Sequence, residues 1–142
     1  MELTADINFV AVILGAISNM VLGMFWYSPM GFGTLWMNLA NMKPANKKEE
    51  DDMKKNATPA MLVAVVTSLI TAYVMAHFAS FMELETPMEG AQLGFWLWLG
   101  FTGATGLSDH MFTKNPLQLF ILNSGYRLVA LLAMGAIIVH FS

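Results

Sequence analysis

The sequence predicts an all-α fold, a four-transmembrane-helix bundle with a short helical loop between its first two helices. Three observations predict it. Of 142 residues, 56% are hydrophobic and only 12% are charged, a balance that suits a lipid-embedded bundle better than a soluble helical domain. The apolar residues gather into four runs, about 7–27, 59–81, 89–108 and 117–141, each near the ~20 residues that cross a ~30 Å hydrocarbon core. The basic residues are segregated as well: Lys43, Lys47, Lys48, Lys54 and Lys55 lie between runs one and two, and Lys114 between runs three and four, six of the seven in the chain.

That segregation fixes an orientation. The tails and the second loop carry no Lys or Arg, only Glu2, Asp6, Glu83, Glu85 and Glu89 at or beyond the ends of the runs. Positive-inside counting therefore puts loops one and three in the cytoplasm and both termini outside. The leading MELTADIN has no basic region and no small-residue cleavage site follows it, so the first run is expected to be a retained span. The lipid bilayer is the first partner, residues 1–142 form a single domain, and the helices themselves supply the anchoring.

Prolines mark the helix starts. Pro59 is expected in the first turn of the second helix, Pro87 at the start of the third and Pro116 at the opening of the fourth, where a missing N–H is harmless. Between helices one and two, Phe32, Leu35, Trp36 and Leu39 recur at helical spacing, which predicts a short helix lying in the cytoplasmic interface. The following KPANKKEEDDMKKN reads as a solvated helical hairpin tip, with pairs such as Lys47 with Asp51 and Lys48 with Asp52. Trp26 and Tyr27 fall where aromatic residues anchor at headgroup level, and Gly31 and Gly33 after Pro29 turn the chain from spanning to interfacial direction.

In lipid, helices associate through close backbone approach and interhelical hydrogen bonds. Ala11, Gly15, Asn19 and Gly23 repeat every four positions on span one; Gly90 and Gly94 form a GxxxG on span three, followed by Gly100, Gly103 and Gly106. Spans one and three are expected to form the core seam. The same glycine pattern fits either an intrachain contact or a homodimer face, with the intrachain reading favoured.

Arg127 is the only arginine, and it lies inside the fourth run. A guanidinium at that depth costs about 2.5–3.5 kcal/mol on insertion scales, so it should face protein or water and have a partner. Asn123 and Ser124 lie just before it, and Ser108, Asp109 and His110 close the third run across a short connection. The expectation is an inner-leaflet cluster in which Asp109 compensates Arg127, with Asn19, Asn123 and Tyr126 or His110 adding hydrogen bonds. Such a cluster serves either to fix helix register or to line a pocket for a small anionic or amphiphilic ligand.

Other chemistries find little support. The absence of cysteine excludes thiolate metal sites and a cysteine nucleophile, the net charge of -3 leaves no footprint for nucleic acid, and no hydrolase or metalloprotease motif is present. No enzyme activity, cofactor or metal is expected. His77 and His140, at similar depth near the outer ends of spans two and four, leave a minor alternative, a bis-histidine haem electron-transfer protein. The thirteen methionines are scattered, Met20 and Met24 being the main helical pair, and gap-filling explains them.

The element GxxWYSPxxFGxxW, from Gly23 through Trp26, Tyr27, Pro29 and Trp36, together with NPLQLFILNSGYRLVALLAMGAII, resembles a family of uncharacterised small membrane proteins, DUF1761. The resemblance covers nearly the whole chain and implies four spans in a bacterial-type membrane, here the cytoplasmic (inner) membrane. It implies no activity, but it directs attention to Trp26, Tyr27, Pro29, Asn123, Tyr126 and Arg127. Two functions remain: small-solute transport or permeation, with a possible homo-oligomer, or a non-catalytic assembly subunit holding a membrane-protein partner.

Overall fold

A computed structural model describes residues 5–142 and is all-helical among them; Glu2 lies outside this range. The helices are α1 (Phe9–Trp26), α2 (Gly33–Leu39), α3 (Lys47–Phe81), α4 (Pro87–Trp98), α5 (Ala104–Met111) and α6 (Leu117–Phe141), with a π-helical segment, Leu99–Gly103, joining α4 to α5. Three of them, α1, α3 and α6, are long and apolar enough to cross a membrane.

Local chemistry sets most of the helix ends. The Asn8 side chain accepts from the N–H groups of Val10 and Ala11 at the start of α1, and Asn46 caps α3 through the Glu49 N–H. Thr86 and Glu89 form a reciprocal capping box with Pro87 in the first turn of α4. There the exposed Glu89 carboxylate accepts the N–H groups of Thr86 and Glu85. Asn8 Nδ2 also donates to the Phe141 carbonyl at 2.9 Å, tying the beginning of α1 to the end of α6.

Several boundaries differ from expectation. The charged segment is no hairpin tip: it continues directly into the second apolar run, making α3 a single helix of 35 residues, about 52 Å long. Pro59 therefore sits inside a helix rather than in its first turn. The ion pair formed on this extension is Glu50 to Lys54 at 3.2 Å, both exposed, in place of the Lys47–Asp51 and Lys48–Asp52 pairs. Acid before base is the better i,i+4 order against the helix dipole. The short helix predicted around Leu35 and Trp36 is present as α2. The third apolar run is helical throughout but is broken by the π segment, which separates α4 from α5.

The hub of the bundle is α6, which packs on α4, α1 and α3, while α1 and α4 share no seam. This corrects the expected pairing of spans one and three. Glycine explains the choice: a Cβ on Gly90 would run into the Gly135 carbonyl, one on Gly135 into the Gly90 carbonyl, and one on Gly94 into the Leu131 carbonyl. Both partners must be bare for α4 and α6 to approach this closely. On α1, a Cβ at Gly15 would meet Ile138 and Met134 of α6. Both small-residue faces are thus used within the chain, the intrachain reading.

The core occupies one half of the bundle. Val12 and Ala16 of α1, Ala72, Met75, Ala76 and Ala79 of α3, Leu93 of α4 and Met134, Ile138 and Val139 of α6 form one buried cluster. All lie toward the end where α1 begins and α3 ends. In the other half, the lysine-bearing end, α5 has no buried residue, and between Ala57 and Thr67 only Ala64 of α3 is even partly buried.

Candidate functional site

A belt of hydrogen bonds closes the packed half. Asn19 is buried on α1 and holds two partners at once: its Nδ2 donates to Ser68 Oγ of α3 at 2.5 Å, and its Oδ1 accepts from the Tyr126 hydroxyl of α6 at 3.0 Å. The same hydroxyl lies 3.0 Å from the Asn19 carbonyl oxygen. One amide thereby joins three helices, with each strong donor and acceptor satisfied as burial requires. Ser68 completes the chain by pointing its hydroxyl at Met20 Sδ, 3.4 Å away. Gly23, one turn beyond Asn19, makes the arrangement possible, because a Cβ there would lie 2.8 Å from the Tyr126 hydroxyl oxygen.

A second tie lies one turn farther along. Tyr27 donates to Asn123 Oδ1 at 2.7 Å, and its ring meets those of Tyr126 at 5.4 Å and Trp36 at 5.7 Å, edge to face. Trp26 packs against Phe32, centroids 4.8 Å apart, and against Tyr126 and Gly125; its Nε1 is buried without a partner. Trp26 and Tyr27 therefore turn into the bundle and join α1 to α6, where headgroup anchoring was expected. The turn after them is fixed by Phe32 N–H to the Trp26 carbonyl at 2.6 Å and Gly33 N–H to the Ser28 carbonyl at 3.0 Å. A Cβ on Gly31 or Gly33 would strike the Phe25 or Tyr27 carbonyl, so close approach, not a positive φ, requires both glycines. Pro29 is exposed at this turn and touches none of the site residues by hydrogen bond.

Arg127 stands apart from this belt. It is ten residues past Leu117, about 15 Å along α6, and it is exposed. Its guanidinium carbon lies 5.4 Å from the centroid of the neighbouring Tyr126 ring. Among the described residues it makes neither an ion pair nor a hydrogen bond. The expected partner, Asp109, is exposed on α5; it lines the same cavity but is beyond ion-pair distance. The weak packing of α5 is the physical reason, since nothing buried holds Asp109 against α6. His110 stacks on Phe120 at 5.5 Å and also lines that cavity.

Three cavities meet at Arg127. The one with Asp109 and His110, about 270 Å³, lies between α5 and α6 and also touches Asn115 and Asn123. A second, about 300 Å³, lies between α3 and α6 against Asn19, Ser68 and Thr102. The third, about 700 Å³, is a cleft between α1 and α3 running from Asn19 and Ser68 to Tyr27 and Ala60. Thr102, on the π segment, borders the first two, and π segments of this kind recur at functional sites.

Of the predicted residues, Asn19 and Tyr126 are bonded to each other and Asn123 to Tyr27, while Arg127 shares one cavity with Asn19 and Tyr126 and another with Asn123, Asp109 and His110. Ser68 and Thr102 were missed. Ser68 is legible as a small polar residue in the apolar run VVTSLIT; Thr102 carried no signal, because sequence periodicity does not reveal a π segment. His77 has its Nδ1 2.9 Å from the Tyr73 carbonyl, and His140 is exposed against Phe141; no described cavity is lined by both.

A family profile described as a protein of unknown function, DUF1761, matches residues 10–139. The chain belongs to this family. As a DUF1761 member it carries the GxxWYSPxxFGxxW element at the α1–α2 turn and the N-x-G-Y-R-L step on α6, the two segments joined by the Tyr27–Asn123 bond. No curated protein and no solved structure matches it.

Proposed function

We propose that this DUF1761 protein is a non-catalytic integral membrane protein that binds a small anionic solute at Arg127 and provides a path for its permeation. The observation that carries this reading is an arginine deep in an apolar helix, unpaired among the described residues and bordering three cavities. A lone guanidinium in lipid surroundings favours any counter-ion that reaches it. In this reading the composite rod from Pro87 to Met111 crosses the membrane as the fourth span, and the bundle sits in a bacterial cytoplasmic membrane with both termini outside. Six basic residues at one end against none at the other support that orientation.

The binding test is a thermal-shift series with acetate, chloride and phosphate on the purified protein and on Arg127→Gln. A shift in the parent that is lost in a folded Arg127→Gln supports the site. Absence of any shift, with no change of anion flux in proteoliposomes, overturns it. Orientation is checked by labelling single cysteines introduced at Lys48 and Glu85, since the chain has none of its own; only the second should label from outside. The assembly-subunit reading drew on the glycine faces and the charged loop; of those glycines, Gly15, Gly90 and Gly94 are already covered by α6.

A further inference from the structure

The α1–α3 cleft indicates what kind of anion Arg127 takes. It exists because the packed stripe of α3, which runs Ser68, Ala72, Met75, Ala76 and Ala79, stops at Ser68. Below that point α3 keeps its apolar character but leaves α1, opening about 700 Å³, within the usual range of about 300–1,000 Å³ for small-ligand pockets. The walls are graded. Arg127, Asn19 and Ser68 stand at one end, and Met20, Met24 and Met61 line the rest. Unbranched thioether side chains adapt to apolar groups of varied shape, so three of the thirteen methionines acquire a shared location that their scatter in sequence conceals.

We infer that this cleft binds an apolar monocarboxylate, carboxylate first against Arg127 and apolar body among the methionines. The inference rests on the anion-binding reading above. Each part follows from the site. One planar guanidinium matches one carboxylate bidentately. The neighbouring donors are already engaged, Tyr126 with Asn19 and Asn19 with Ser68, so a doubly charged head would be left half compensated. The cleft runs from Asn19 to Tyr27 and from Ser68 back to Ala60, eight residues on each wall, about 12 Å. That length admits a medium-chain or aromatic acid and excludes a full lipid chain.

Equilibrium dialysis of radiolabelled acetate, octanoate and palmitate against the protein in nanodiscs, with empty nanodiscs as the partition control, tests this. Octanoate should bind once per chain, at least tenfold more tightly than acetate, and Arg127→Gln should abolish binding of both. Ala64→Phe, which fills the cleft away from Arg127, should weaken octanoate about tenfold and leave acetate unchanged. Val66→Phe, outside the cleft lining, should alter neither. Met24→Trp fills the cleft from the other wall and replaces Ala64→Phe if that variant does not fold. If octanoate binds no better than acetate while acetate still needs Arg127, the anion site stands and this inference fails. It fails equally if palmitate or phosphatidylglycerol displaces octanoate at lower concentration, since the occupant then comes from the lipid phase. If a folded parent binds none of these, the functional reading itself falls.

Discussion

The two halves of the bundle are built from the same helices by opposite rules. Toward the start of α1, bare glycine backbones bring α4 against α6, and Val12, Met75, Met134 and Ile138 fill what remains. Toward the lysine-bearing end, α3 leaves the bundle, α5 buries nothing, and three cavities converge on an arginine unpaired among the described residues. The Asn19–Ser68–Tyr126 belt marks the border. Apolar burial is concentrated in the half away from the cavities, which leaves the other free to keep a charge exposed.

The sharpest way to break the contrast is to act on the packed half. Gly135→Val places a branched side chain against the Gly90 carbonyl, and an overpacked seam of this kind should cost about 3 kcal/mol, measured by unfolding in mixed micelles. A fall under about 1 kcal/mol would mean that the α4–α6 approach is not what holds the bundle. The border comes next. Asn19→Leu removes the side-chain bonds to Ser68 and Tyr126, leaving the tyrosine only the carbonyl of residue 19, and should cost about 1–2 kcal/mol, the scale of interhelical hydrogen bonds in membranes. Gly23→Ala should reproduce part of that loss by pushing the Tyr126 phenol away.

In the open half the expected response is of another kind. Arg127→Gln should leave the melting temperature unchanged or raise it slightly, because no ion pair or hydrogen bond to the described residues is lost and a charge is removed from an apolar helix, while anion binding disappears. A sharp fall in melting temperature would assign the residue to structure and end the contrast.

Much of this was legible in the residues. Apolar runs of about twenty residues, lysines at one end and a single buried-depth arginine specified helices, an axis and a centre of interest. Each is a one-dimensional property of the chain, and hydrophobic length and charge cost do not depend on which helix lies beside which. The pairing of neighbours was not legible. Glycines on spans one and three were equally suited to each other, and only the register of Gly135 and Leu131 on α6 decided that both faces turn to α6. Asp109 and Arg127 share a cavity without a direct ion pair for a related reason: proximity across a short loop sets which side of the bundle two residues share, but packing sets their distance, and α5 has none to supply. The cleft, the π segment and the gathering of Met20, Met24 and Met61 were decided by tertiary structure alone, because each depends on where two helices part, and sequence periodicity records only the face a helix offers, not whether a neighbour takes it.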